Sequence, residues 1–96
     1  MGSPAAPSPL SGYIGQPVVV DVRSHTLTYL GVLKEVTSFS VVLADVDVHD
    51  IHESKTSREV YVMESRKYGI KANRREVSIL LAEVVSVSRL ADIIVY

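Results

Sequence analysis

The stretch PVVVDVRSHTLTYLGVLKEV, residues 17–36, decides the fold of this 96-residue chain. After Pro17, valines recur at every second position, which is the period of a strand with one buried face. The polar pair Ser24-His25 then precedes a second alternating run that extends to Val36. Proline lacks an amide hydrogen, so it suits the first position of a strand better than the interior. The pattern predicts two antiparallel strands joined by a tight turn.

Further strands are predicted after this hairpin. Seventeen valines favour β structure throughout, because β-branched side chains suit a pleated surface. Gly31 inside the second strand indicates a bulge or a sharp bend. Five or six short strands are typical of an all-β fold in which one strongly bent sheet curls into a small barrel. The later predicted strands are 39–51, 58–70, 76–81 and 84–90, with a loop at 52–57 and a polar turn at 71–74.

The segment before the first strand has a different composition. Residues 1–9 hold three of the four prolines, and we interpret them as a disordered tail or a vector-derived remnant. Pro9 indicates a helix start, and Gly12 and Gly15 limit that helix to one or two turns. The predicted domain therefore spans residues 10–96 and begins with a short helix.

Composition excludes several classes of protein. The length allows one compact domain. The absence of cysteine excludes disulfides, thiol catalysis and thiolate metal sites. No apolar run reaches the roughly 18 residues that cross a bilayer, and no secretory signal is visible, so we expect a cytoplasmic protein with no membrane partner. So short a domain without disulfides is expected to gain stability by oligomerisation.

One pattern extends over the first half of the chain: Gly15, then Val18, Val20 and Val22, then Gly31-x-Leu33 and the aliphatic run 41–43. This pattern resembles the first motif of the Sm-like (LSm) family. That motif has a glycine, alternating aliphatic residues, G-x-L, a further aliphatic residue and a final aliphatic cluster. The late run Glu83–Val87 is similar to the last strand of the family fold. The resemblance implies a short N-terminal helix and a strongly bent five-stranded Sm-like or SH3-like barrel. The residues that carry the first motif are Ile14, Gly15, Val18, Val20, Val22, Gly31, Leu33, Val36, Val41, Val42 and Leu43.

The resemblance also implies an assembly and a ligand. Family members form rings in which the fourth strand of one subunit pairs with the fifth strand of the next, which removes two exposed edges. They commonly bind single-stranded RNA through the loops between strands two and three and between strands four and five. This chain departs from the family at these loops: Thr37 replaces an aspartate, Ser40 replaces an asparagine, and residues 73–76 lack an Arg-Gly pair.

Positive charge is concentrated in the second half of the chain. Residues 1–53 carry a net charge of −4 and residues 54–96 a net charge of +3. Arginine and lysine contact phosphates, and a tyrosine ring can stack on a base. The alternative interpretation is a solvated edge of the barrel. The predicted nucleic-acid-binding residues are Ser38, Ser40, Arg66, Lys67, Tyr68, Lys71, Arg74 and Arg75.

An acidic strand is the other candidate site. On an extended strand Asp45, Asp47 and His49 share one face, and His52 follows them. Carboxylate and imidazole groups are ligands for Zn²⁺ or Mn²⁺. The spacing fits no metal motif, however, and any strand with one wet face shows the same alternation. We therefore expect no metal or other cofactor, and a contact between this strand and the basic segment of a neighbouring subunit.

No residue set supplies a nucleophile, a base and a charge stabiliser together, so we expect no enzymatic activity. Ser24 and His25 are explained as turn residues. The apolar run 93–96 is expected to contact a neighbouring subunit or to pack on its own barrel. The predicted function is an RNA-associated module that forms homo-oligomeric rings. The alternative is a structural or protein-interaction barrel that keeps the oligomer without RNA.

Overall fold

A computed structural model describes residues 9–24, 26–53 and 56–95. Most of the predicted tail, the turn residue His25 and the terminal Tyr96 lie outside these ranges. A 3₁₀ turn at Pro9–Tyr13 confirms the short N-terminal helix, and further 3₁₀ turns follow the last two strands. The regular elements are β1 (Pro17–Val22), β2 (Leu27–Val36), β3 (Ser40–Asp50), α1 (Arg58–Tyr68), β4 (Arg74–Leu80) and β5 (Val84–Arg89).

The five strands form one antiparallel sheet in the order β4-β3-β2-β1-β5. Strands β1 to β4 pair with their neighbours in sequence, whereas β5 pairs with β1. Within the described ranges, β4 and β5 are the two edges and no ladder joins them. The sheet is therefore open and does not close into the predicted barrel. Each edge keeps a row of backbone groups that no strand in the described ranges pairs with.

A β-bulge interrupts the pairing of β2 with β3. The register shifts between Leu30 and Val32, so that β3 carries an extra residue opposite Gly31. A Cβ atom on Gly31 would lie 3.0 Å from the carbonyl oxygen of Ala44, so a side chain there would force the strands apart. Asp45, in the bulge, has a φ of 52°, in the left-handed region that few residues other than glycine adopt. The predicted irregularity at Gly31 is confirmed.

The segment predicted as a strand at 58–70 is wrong, because it forms the helix α1. The hydroxyl of Ser57 caps the start of the helix by accepting a hydrogen bond from the amide of Val60 at 3.3 Å. Gly69, with a φ of 93°, ends the helix and donates its amide to the carbonyl of Ser65 at 2.9 Å. Valine and tyrosine favour a strand locally, but caps at both ends favour a helix more strongly.

Both faces of the sheet are packed. One face carries an all-aliphatic core, and the other face is covered by α1 and by the 3₁₀ turn after β5. On the helix side Val19 and Leu30 contact Val62 of α1 and Leu90. Val19 faces away from the alternating valines at positions 18, 20 and 22, yet it is only 1% exposed, because α1 covers it. The all-aliphatic core consists of Val18, Val20, Val22, Leu33, Val41, Leu43, Val46 and Ile79.

In the part of the chain that the structure describes, α1 is the longest helix, and no helix has the length and apolar character needed to span a membrane.

Candidate nucleic-acid interface

The basic segment lies at the C-terminal end of α1 and the start of β4. Arg66 and Lys67 belong to the last turn of the helix, where positive charge is favoured by the helix macrodipole. Lys71 follows in the connecting loop, and Arg74 and Arg75 begin β4. All five side chains are exposed. Among the described residues, none of them forms an ion pair with a carboxylate.

Backbone carbonyls orient two of these cations. Nε of Arg66 donates to the carbonyl oxygen of Ala91 at 3.3 Å, and Nη1 of Arg74 donates to that of Asn73 at 3.0 Å. Each guanidinium keeps further N–H donors with the fork geometry that suits phosphate oxygens. Tyr68, which ends the helix, is 77% exposed, so its ring is open to stacking. The segment thus presents hydrogen-bond donors for phosphate oxygens beside an exposed aromatic ring.

Ser38 and Ser40 lie at the other end of the paired strands β3 and β4 from the basic segment. Ser40 of β3 pairs with Leu80, the last residue of β4. Arg74, the first residue of β4, lies six positions before Leu80, which is about 20 Å along the strand. The hydroxyl groups of Ser40 and Thr37 share a hydrogen bond at 3.0 Å. The structure therefore brings the cations and Tyr68 together and leaves the two serines apart from them.

The β2–β3 and β4–β5 connections meet at the end of the sheet near the two serines. The amide of Leu81 donates to the carbonyl of Phe39 at 2.7 Å, and Nε of Arg23 donates to the carbonyl of Ala82 at 2.7 Å. The ring of Phe39 is 76% exposed at this junction. Sequence reasoning missed Phe39, although an aromatic residue in a polar turn was a visible signal.

Segment 73–76 does not form the connection between the fourth and fifth strands, where the sequence analysis expected it. Since α1 takes the position of the predicted fourth strand, this segment begins β4. The β4–β5 connection is Leu81–Glu83, which contains no cation. The two loops that the family resemblance assigns to RNA are therefore not where the positive charge of this chain lies.

Asp47 joins α1 to the sheet. One carboxylate oxygen accepts a hydrogen bond from the hydroxyl of Tyr61, and the other accepts from Nδ2 of Asn73 at 3.2 Å. The Asn73 side chain also donates to the carbonyl of Val48 at 3.1 Å and accepts from its amide at 3.0 Å. The His49 ring stacks on Tyr61 with centroids 3.6 Å apart. This network fixes the middle of the helix over β3.

Other polar residues of the acidic strand and of the loop that follows it have structural roles. Asp45 lies in the bulge, and the carboxylate of Asp50 accepts the amide of His52 at 2.9 Å. Among residues 9–24, 26–53 and 56–95, no group of three or more potential ligands is arranged to hold a metal ion. The acidic strand does meet the basic segment inside one subunit, where Arg74 pairs with Val46.

A second carboxylate holds the start of the helix. Arg58 binds Asp21 of β1 through two hydrogen bonds, at 2.9 Å and 2.5 Å, and Ser86 of β5 donates to the same carboxylate at 3.1 Å. Partial burial lowers the pKa of Arg58, but the hydrogen bond and charge of Asp21 outweigh this and raise it. Asp21 and Asp47 thus fix α1 at two points, and so position the exposed end of the helix.

The environment of Tyr61 predicts alkaline sensitivity. Burial, together with the hydrogen bond and the negative charge of Asp47, raises the pKa of Tyr61 above its ordinary value of about 10. The folded protein therefore holds this proton more tightly than the unfolded chain does. Its contribution to stability is complete below about pH 10 and is lost as the pH rises through the folded-state pKa. We expect the free energy of unfolding to fall more steeply above about pH 10 in the wild type than in Tyr61→Phe.

Urea denaturation at several alkaline pH values measures this difference. Tyr68→Phe is the matched control, because Tyr68 is exposed, and its pH profile should follow that of the wild type. Parallel profiles for Tyr61→Phe and the wild type would contradict the prediction.

The sequence matches no protein-family model and no curated protein.

Proposed function

We propose that this protein is an RNA-associated module that assembles from several copies into an Sm-like ring, and that it binds single-stranded RNA through the basic segment. One observation carries the RNA part of the proposal. Five exposed cations and an exposed tyrosine lie within ten residues, and no carboxylate pairs with those cations in the described part of the chain. The whole chain has a net charge of only −1, so this excess of positive charge is local to one part of the surface and does not reflect a generally basic protein.

The chemistry of the segment suits an RNA strand. Arg74 and Arg75 each supply a phosphate contact at the start of the edge strand β4, and counterion release supplies most of the affinity. The Tyr68 ring stacks on a base, which is a contact that every base can make. Several copies of the segment around a ring would act on one strand together, which raises the effective concentration of each contact.

The edges of the sheet support the ring. The resemblance implies pairing of the fourth strand with the fifth strand of a neighbour. Among the described residues, β4 and β5 are the strands that have no neighbouring strand on their outer side. Each also exposes a large apolar side chain: Leu80 is 60% exposed and Val85 is 63% exposed. Pairing between copies would satisfy the backbone groups and cover both side chains.

A ring without RNA is the second candidate, and a specific observation favours it. The β4–β5 connection, Leu81–Glu83, has no cation, and the Ser40 hydroxyl is engaged by Thr37. A protein that kept the edges but lost the RNA contacts of its loops would have these features. The two candidates differ only in whether the basic segment binds RNA.

The double variant Arg74→Ala, Arg75→Ala tests the RNA proposal. Wild-type affinity for short U-rich or A-rich strands should fall steeply as the salt concentration rises from about 50 to about 200 mM. Removing two phosphate contacts should weaken binding at least about fivefold and reduce the slope of log K against log salt by about 1.4. Fluorescence anisotropy of a labelled strand measures both quantities.

Lys34→Gln, Arg89→Gln is the matched control. It removes the same charge, but Lys34 and Arg89 are already paired with Glu76 and Asp92, so affinity and slope should stay close to wild type. Equal losses in the two double variants would contradict a site at the basic segment. The absence of wild-type binding at low salt would favour the ring without RNA.

A further inference from the structure

A pocket of about 160 Å³ opens between the C-terminal half of α1 and β3, directly beside the basic segment. A cavity of about 150 Å³ is large enough to bind benzene, so this pocket has room for a single planar ring and little more. Its lining combines aromatic rings with carboxylates. The lining includes Asp47, Tyr61, Glu64, Tyr68 and Lys71.

Only one of the two carboxylates is free to bind a ligand. Both oxygens of Asp47 are engaged, by Tyr61 and by Asn73, so Asp47 forms a fixed wall. Glu64 is exposed, and no hydrogen bond or ion pair occupies it among the described residues. An ionised carboxylate accepts hydrogen bonds and donates none. The pocket therefore selects a ring that carries N–H donors.

Positive charge also lies beside the pocket. Lys71 lines it, and the other cations of the basic segment are close to Lys71 in sequence: Arg66 and Lys67 precede it, and Arg74 follows it. These cations attract phosphate. The chemistry that satisfies both conditions is a planar ring with N–H donors attached to an anionic chain, which describes a nucleotide.

We propose that this pocket binds one nucleobase that carries an exocyclic amino group. The base stacks on Tyr68, its amino group donates a hydrogen bond to Glu64, and Lys71 contacts the adjoining phosphate. Cytosine, adenine and guanine each present an exocyclic amino donor at an edge of the ring, whereas the single N3–H donor of uracil lies between two carbonyl oxygens that a carboxylate repels. The inference rests on the proposed RNA binding and adds a base preference to it.

Equal-length strands of cytidine, adenosine and uridine nucleotides test the preference at one low salt concentration. In anisotropy titrations the wild type should bind the cytidine and adenosine strands about five- to tenfold more tightly than the uridine strand. Glu64→Gln should reduce this ratio to about twofold or less, because an amide also donates to uracil oxygens. Glu59→Gln changes the same charge on the same helix outside the pocket lining, and it should keep the wild-type ratio.

The outcomes separate the two proposals. If no strand binds, both the RNA function and this subsite are overturned. If all strands bind equally, or if the preference survives Glu64→Gln, only the subsite is overturned. Tyr68→Ala should weaken all strands at least about fivefold, whereas Tyr68→Phe should bind like the wild type. Tighter binding of an arginine-rich peptide than of the cytidine strand would also overturn the subsite.

Discussion

Leu80→Lys should convert the proposed ring into monomers. Leu80 is 60% exposed on the edge strand β4, so the isolated subunit does not need it for its core. In the proposed ring this side chain is buried where β4 meets β5 of a neighbour. A lysine at that position would have to lose its hydration on assembly, and lysine on an edge strand is a common barrier to strand pairing. Native mass spectrometry or light scattering gives the number of subunits.

Two further variants define the contact. Val85→Lys, on the opposite edge β5, should have the same effect as Leu80→Lys, because one edge pairs with the other. Ile14→Lys is the control: Ile14 is 47% exposed and lies before β1, on neither edge strand. A monomeric wild-type protein would contradict the ring. An unchanged subunit number in both edge variants would locate the contact elsewhere.

Leu30→Ala should lower the free energy of unfolding by about 3 kcal/mol. Leu30 is completely buried on the face of the sheet that α1 covers, where it packs with Val19 and Val62. Removing its side chain leaves a cavity between the sheet and the helix. Val60→Ala is the comparison on the helix itself: Val60 is 40% exposed, so its loss should cost less than about 1 kcal/mol. Urea denaturation measures both values.

The size of the Leu30 effect matters because small domains have only about 5–15 kcal/mol of total stability. If Leu30→Ala does not fold, Leu30→Val keeps most of the side chain and should still cost about 1 kcal/mol. Equal costs for Leu30→Ala and Val60→Ala would contradict the packing of α1 on the sheet.

The first three strands were predictable from sequence because their signals are local. The alternating valines after Pro17 follow the strand period. A glycine inside a strand, such as Gly31, indicates an irregularity there even when the partner strand is unknown. The helix was not predicted, because Val60, Tyr61 and Val62 favour a strand when read alone. The signals for a helix were Ser57 before the segment and Gly69 after it. A serine and a glycine are common in loops as well, so they indicate caps only when a helix is already expected between them.

The candidate site divides in the same way. The basic segment is visible in sequence, because charge clustering within ten residues needs no tertiary information. The separation of Ser40 from Arg74 follows from the β3–β4 register, which the sequence alone does not specify. The pocket with Tyr61 and Glu64 lies between α1 and the sheet. It therefore depends on the long-range contacts that hold the helix there, which include those of Asp21 and Asp47.

The helix also has a consequence for how this chain can diversify. It belongs to a segment that departs from β3 and returns to β4 at adjacent points, since Arg74 pairs with Val46. A segment inserted in this way can be lengthened, shortened or exchanged without changing the order or the pairing of the strands. A replacement would have to shield Val19 and Leu30 from water and to supply partners for the carboxylates of Asp21 and Asp47. New recognition surfaces can therefore be grafted onto this scaffold at a single position, while both borders of the sheet stay as they are.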